Sequence, residues 1–159
     1  MRILGLDPGL ATLGFALVDV VAPGTPHLFD YGVIQTAKHQ PLGDRLHTIF
    51  EDLHHVVARD GPDCAAIEKL FFYRMGNLVA VAQARGVMLL VLHQRQLPLQ
   101  EFSPPEIKQA LTGRGNANKH DVRAAVMREF GLTRPPQPDD AADAIAIALT
   151  GCFRRHAIA

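Results

Sequence analysis

Four acidic residues each adjoin an apolar stretch of the chain: Asp7, Glu68, Asp140 and Asp143. An isolated ionised carboxylate in apolar surroundings costs several kcal/mol, so each group must be protonated, paired or bound to a cation. Asp140 and Asp143 are three residues apart, which places both on one face of a helix. Two simpler roles remain open, because Asp-Pro-Gly is a common turn sequence and acidic residues stabilise the first turn of a helix.

The chemistry that such a set of carboxylates supports is metal-dependent hydrolysis. Carboxylate oxygens suit Mg²⁺ or Mn²⁺, and the chain contains no HExxH or CxxC motif that would favour zinc. Two such ions about 4 Å apart can activate water, hold a scissile phosphate and stabilise the departing oxygen. No Ser-His-Asp or Cys-His pattern competes, since the eight histidines are scattered along the chain. We therefore expect phosphodiester hydrolysis with two Mg²⁺ or Mn²⁺ ions per active site.

Basic residues are concentrated in the middle of the chain, although the net charge is zero. Residues 1–68 contain four Lys or Arg against nine Asp or Glu, whereas residues 69–134 contain ten against four. A positive surface beside an acidic cluster suits a nucleic acid, although ordinary solvated helix faces have the same composition. From charge and location, we predict that Arg74, Arg114 and Arg123 contact the phosphates of such a partner.

Consecutive aromatic residues follow Glu68 in an expected loop, at positions 71–73. At least one of these rings is expected to fold back onto the core. Another can stack on unpaired bases or wedge between them, with Arg74 nearby for a phosphate.

Apolar spacing and turn residues predict the elements that must position these groups. Residues 2–20 read as a hairpin around Pro8-Gly9, and Asp7 shares one strand face with Gly5, whose small size leaves room for another element to approach. Further strands are predicted at 28–35, 64–67 and 97–102, and helices at 42–60, 78–94, from 104, at 119–130 and from 139 to about 153. The order begins βββαβαβα and predicts an α/β fold.

Length and composition favour one compact domain over residues 1–159, since the chain has 48% hydrophobic residues and no internal repeat. The absence of a signal-like start predicts a soluble, cytoplasmic protein. Cys64 and Cys152 have no metal-like or redox spacing and are expected in the core. Helix 78–94 is apolar almost all round, so it needs cover on two sides, and a second subunit can supply one of them.

Five segments together resemble the RuvC family of bacterial Holliday-junction resolvases: GLDPGLATLGFAL, AAIEKLFF, AQARGV, IKQALTGRGNANK and DDAADAIAIALT, in this order and spacing. The resemblance spans nearly the whole chain. It implies an RNase H-like fold with a five-stranded mixed β-sheet flanked by helices, and a homodimer that makes paired metal-dependent nicks in a four-way DNA junction. It also implies 5′-phosphate and 3′-hydroxyl ends, some sequence preference, and cooperation with a junction-binding and branch-migration helicase complex of the RuvA/RuvB type.

The resemblance also implies roles for individual residues. It assigns metal binding and catalysis to the four carboxylates, Asp7, Glu68, Asp140 and Asp143. It makes Phe71 the aromatic residue that stacks at the crossover, matches Lys108 and Lys119 to basic positions linked with DNA contact and activity, and matches helix 78–94 to the dimer helix.

Two features depart from the family pattern. Asp139 precedes Asp140, so either can lie nearer the metal, although the spacing to Asp143 favours Asp140. The chain also ends soon after Arg154-Arg155, without the longer basic tail of some members.

Other functions stay open at this stage. They are an RNase H-like nuclease that cuts RNA–DNA hybrids or flaps, a non-catalytic junction-binding protein, and an ATP-binding domain of the actin and sugar-kinase type. Asp7, Gly9 and Gly14 imitate part of a phosphate loop of the last class, but that fold needs a second domain to close over nucleotide.

Overall fold

A computed structural model describes residues 1–22, 25–70 and 78–154. The elements, in chain order, are β1 (Arg2–Asp7), β2 (Thr12–Ala22), β3 (Thr25–Gln35), α1 (Leu42–Asp60), β4 (Cys64–Glu68), α2 (Leu78–Gln94), β5 (Leu99–Phe102), α3 (Pro104–Thr112), α4 (Lys119–Phe130) and α5 (Asp139–Phe153). The predicted order of strands and helices is therefore confirmed within these residues.

The strands form one mixed sheet in the order β3-β2-β1-β4-β5. The first three pair antiparallel, whereas β4 runs parallel to β1 and β5 runs parallel to β4. Antiparallel neighbours can be joined by tight turns, but the two parallel steps need crossovers, which α1 and α2 supply. The expected five-stranded mixed sheet flanked by helices is confirmed.

Two predicted strand boundaries were wrong by a few residues. β3 begins at Thr25 rather than residue 28, because Pro26 and His27 continue the pairing with β2. β5 begins at Leu99 rather than residue 97, because the Leu97 amide still donates to the Leu92 carbonyl at 3.0 Å. That hydrogen bond completes the turn that ends α2 before the chain can extend.

Alternation along the strands divides the core into two layers. Ile3 and Ala66 contribute to a cluster with α3, α4 and α5, whereas Leu4 and Ile67 contribute to a cluster with α1 and α2. This is the pattern expected of strands buried on both faces. Cys64 and Cys152 are both buried in the α5 layer, which confirms their predicted place in the core.

Two glycines allow α5 to lie directly on β1 and β2. A Cβ atom at Gly5 would collide with the Ala144 carbonyl oxygen, and one at Gly14 would collide with the carbonyl oxygen of Asp140. Gly14 is also the register partner of Asp7. The glycines therefore fix the start of α5 over the end of β1, which fits the expected close approach beside Gly5.

Within the part of the chain that the structure describes, no helix is long and apolar enough to cross a membrane.

Candidate active site

Asp7 is the last residue of the central strand β1, at the end of the sheet where α5 begins to cross it. The loop that follows β1 is held by hydrogen bonds from Thr36, the residue after β3, and Thr36 is in turn bound by Arg45 of α1. The buried Thr36 hydroxyl donates to the Leu10 carbonyl at 2.6 Å and accepts from Arg45 Nε at 2.9 Å. The Thr36 amide also donates to the Ala11 carbonyl at 3.0 Å. Sequence reasoning missed this brace, because nothing near Thr36 in the sequence marks its hydroxyl as buried.

Glu68 lies at the same end of the sheet, as the last residue of the neighbouring strand β4. β4 is parallel to β1 with Leu6 paired to Ile67, so the residues that follow this pair, Asp7 and Glu68, lie beside each other. Neighbouring parallel strands end at the same sheet edge, so their last side chains converge. The prediction that Asp7 has Glu68 as a neighbour is consistent with this register.

Asp140 and Asp143 come from the first turns of α5. Both are partly buried, and the alanines between them are buried against the sheet. The whole stretch from Ala144 to Cys152 is buried as well. A helix held along that length cannot roll easily, so these two carboxylates are fixed relative to β1.

The four predicted carboxylates influence one another electrostatically at Asp7. Burial raises the pKa of Asp7 well above its usual range, and the charges of Asp143, Glu68 and Asp140 raise it further, in that order. Lys119 acts in the opposite direction. The fold thus brings together acidic groups from β1, β4 and α5 whose mutual repulsion favours binding of a proton or a cation.

Lys119 lies beside this cluster. Its ammonium nitrogen lies 3.0 Å from Asp143 Oδ2 and 3.6 Å from Asp139 Oδ2. Lys119 begins α4, where the Asn118 side chain accepts the Asp121 amide hydrogen bond at 2.9 Å and fixes the helix start. Sequence reasoning predicted Lys119 as a DNA contact and missed its pairing with Asp143.

Asp139 and Asp140 have different surroundings, although they are adjacent. Asp139 is exposed and pairs with Arg123 Nη2 at 2.6 Å, and this hydrogen bond, with help from Lys119, lowers the pKa of Asp139. Asp140 instead contributes to the field that raises the pKa of Asp7. The geometry therefore favours Asp140 over Asp139 as a member of the carboxylate cluster.

The donor chemistry fits a divalent cation, since the cluster offers only carboxylate oxygens. Among the described residues, no three His, Cys, Asp or Glu side chains are close enough to make a ready-formed metal-binding group. Asp143 is paired with an ammonium group instead. A metal would therefore have to draw these oxygens closer together.

The other predicted DNA contacts are Lys108, Arg114, Arg123, Phe71 and Arg74. Lys108 is partly buried on α3, and Arg114 is exposed beyond the end of that helix, where it pairs with Asp121 at 3.2 Å. Arg123 is partly buried and faces Asp139. Phe71 and Arg74 lie outside the described residues.

Acidic groups gathered at the end of the central strand, with a helix crossing that strand, define an RNase H-like nuclease. The chain belongs to the RuvC family, because the family model described as "Crossover junction endodeoxyribonuclease RuvC" matches residues 3–151. It is therefore an endonuclease of the class that acts at crossover junctions in DNA recombination and repair. The resemblance in the sequence is confirmed.

Individual relatives agree with this assignment. The chain is 54% identical to the RuvC of Gloeobacter violaceus over 96% of this chain and 88% of that protein, and 50% identical to the RuvC of Synechococcus strain WH7803 over 98% of this chain and all of that protein. The solved Thermus thermophilus RuvC structure is 34% identical, with a TM-score of 0.92 over 99% of this chain and 96% of that one. The Thermus protein has also been solved in complex with a Holliday-junction substrate, with the same identity, coverage and TM-score.

Proposed function

We propose that this chain resolves Holliday junctions by cutting two strands of the four-way DNA with paired, metal-dependent nicks. The products carry 5′-phosphate and 3′-hydroxyl ends. The observation that carries the proposal is the convergence of Glu68 from β4 and of Asp140 and Asp143 from α5 on Asp7, where burial and these neighbouring charges raise the pKa of Asp7. Such repulsion has no structural benefit, but it is what a binding site for divalent cations requires.

The residues proposed to hold the metal are Asp7, Glu68, Asp140 and Asp143. The family is one of metal-dependent nucleases. We propose two Mg²⁺ or Mn²⁺ ions per site, which supply an activated water and neutralise charge on the phosphate. The chain's own contribution is rigidity. The register of β1 and β4 and the buried length of α5 hold the carboxylates in place before DNA arrives.

Basic residues near the cluster are proposed to position the DNA. Lys119 and Arg123 lie beside α5, and Lys108 and Arg114 belong to α3 and the loop after it. Contacts of this kind bind phosphates irrespective of sequence, so they set affinity and orientation. Phe71, with Arg74, is proposed to stack at the crossover, which is a role for unpaired bases rather than duplex.

A homodimer is proposed through the outer face of α2. Val79 is 72% exposed and Leu90 is 49% exposed, and both lie on a helix face with Ala82 and Gly86, whereas Met88 on the opposite face is fully buried. A junction presents two equivalent strands, so a two-fold symmetric dimer places one cluster at each strand. A single nuclease domain over residues 1–159, a cytoplasmic location and a partner complex of the RuvA/RuvB type complete the proposal.

The proposed activity is tested by cleavage of an end-labelled mobile four-way junction, with Mg²⁺, Mn²⁺ or chelator. We expect symmetric nicks near the crossover only with metal, and we expect Asp7→Asn to abolish cleavage while junction binding persists. Asp63→Asn is the matched control, because Asp63 lies at the opposite end of β1, where it accepts the Arg2 amide hydrogen bond at 2.6 Å. Cleavage of flaps or RNA–DNA hybrids in preference to junctions would contradict the substrate assignment, and a junction that is bound but uncut with either metal would contradict the activity.

The dimer is tested with two valines of similar exposure. Val79→Glu places a charge on the outer face of α2, whereas Val21→Glu changes an equally apolar side chain, 77% exposed, at the end of β2. Sedimentation should give a monomer for Val79→Glu and a dimer for the wild type and Val21→Glu. A dimer that persists in Val79→Glu would rule out this face.

A further inference from the structure

Lys119 is placed between two carboxylates that have different roles. Its ammonium nitrogen is 3.0 Å from Asp143, a member of the carboxylate cluster, and 3.6 Å from Asp139, which is outside the cluster. The Lys119 side chain is 52% exposed, so little packing holds it in this position. Only a small movement is needed to transfer the ammonium group from Asp143 to Asp139.

Resting on the metal site of the proposed function, we propose that Lys119 competes with the divalent metal for Asp143, and that Asp139 receives the ammonium group when the metal binds. Lys119 then serves as the resident cation of the metal-free cluster. Asp139 is a positioning residue, because it acts on Lys119 and does not itself touch the metal.

Arg123 makes Asp139 suitable for this role. Arg123 Nη2 binds Asp139 Oδ1 at 2.6 Å, which leaves Oδ2 as the oxygen that faces Lys119. An anchored carboxylate keeps the released ammonium group close to the cluster, where it can meet the phosphate that arrives with DNA. Without Asp139, Lys119 would keep only Asp143 of these two partners. It would then compete more strongly with the metal for Asp143.

The expected effects are opposite in sign. Titration of the DNA-free protein with Mn²⁺, followed by the electron paramagnetic resonance of free Mn²⁺, should show about tenfold tighter binding for Lys119→Gln, because the metal no longer has to displace an ammonium group from Asp143. Asp139→Asn should bind Mn²⁺ about threefold more weakly. Arg59→Gln removes the same charge from a residue that pairs with Asp30 and Asp60, and its affinity should match the wild type.

A general electrostatic field would also give these two signs, so the double variant decides between the explanations. If Asp139 acts through Lys119, Asp139→Asn should have no effect on Mn²⁺ affinity in the Lys119→Gln background. If the two residues act independently through the field, their effects should add, and the proposal would be overturned.

The same titration separates this inference from the proposed function. Asp7→Asn should lose most of the Mn²⁺ affinity of the wild type. Equal Mn²⁺ binding by Asp7→Asn and wild type would overturn both the metal site and the competition. Loss of binding in Asp7→Asn, together with wild-type affinity in Lys119→Gln, would leave the metal site intact and overturn the competition alone.

Discussion

Alanine in place of Gly14 should disable the site without changing any charged group. The added methyl would meet the carbonyl group of Asp140 and lie 3.2 Å from the Ala141 amide nitrogen, in both cases backbone atoms that cannot rotate away. Gly14 pairs with Asp7 across the hairpin, so the collision occurs beside the carboxylate itself. Either α5 or the hairpin must therefore move.

The size of the movement follows from the contact. Ordinary van der Waals contact of a Cβ atom begins at 3.4 Å, and the Asp140 carbonyl oxygen is far inside that limit, so the separation must grow by about 1 Å or more. Overpacking of this kind costs about 1–3 kcal/mol of folding stability. A displacement of catalytic side chains by about 1 Å can lower the reaction rate about 100-fold. The loss of activity should thus exceed what the fraction of folded protein explains.

Two measurements on the same preparation test this reasoning. Urea unfolding gives the stability change, and single-turnover junction cleavage gives the rate, with junction affinity measured separately. Gly43→Ala is the control, because Gly43 lies in the first turn of α1 and a Cβ atom there meets nothing within 4 Å. Wild-type stability and cleavage in Gly14→Ala would refute the idea that close contact with α5 positions the cluster.

Two further predictions concern Asp7 and its loop. Because the folded-state pKa of Asp7 is raised, its contribution to stability is present below the unfolded pKa and is lost as pH rises through the folded value. In chelator, Asp7→Asn should therefore melt above the wild type at neutral pH, and the difference should shrink towards acid pH; equal melting temperatures at pH 7 would contradict the repulsion. Thr36→Val should cost about 1–3 kcal/mol, because the Arg45 guanidinium and the Leu10 carbonyl each lose a buried partner. It should also slow cleavage more than it weakens junction binding, and a wild-type cleavage rate would show that the brace does not position Asp7.

Most elements were predictable because the local signals agree. α1 begins at residue 42 and ends at Asp60, and it is followed by Gly61, a glycine with φ of 56° in the position that caps many helices. α2, α4 and α5 have the predicted bounds, since apolar spacing and flanking turn residues point to the same limits. The four carboxylates were recognisable for a similar reason, because each interrupts or ends an apolar stretch.

The contacts between elements were not predictable from local pattern. From the spacing of the three aspartates, either Asp139 or Asp140 could belong to the predicted metal site, whereas the structure shows Asp139 exposed and paired with Arg123 of α4. Likewise, Lys119 and Asp143 are 24 positions apart, so their ion pair depends on how α4 packs against α5. Charge in a sequence indicates a basic surface, but it does not tell which carboxylate each cation meets.

The rigidity of α5 explains why the cluster needs a cation. Repelling carboxylates on flexible loops would separate into solvent. Here the helix is buried from Ala144 to Cys152, and Gly5 and Gly14 let it lie directly on the strands, so moving Asp140 or Asp143 away would open the core. The repulsion must then be relieved by protonation of Asp7, by the Lys119 ammonium group or by divalent metal. If the proposed competition holds, these three cations relieve the same repulsion, and metal affinity, the pH dependence of stability and the position of Lys119 should change together.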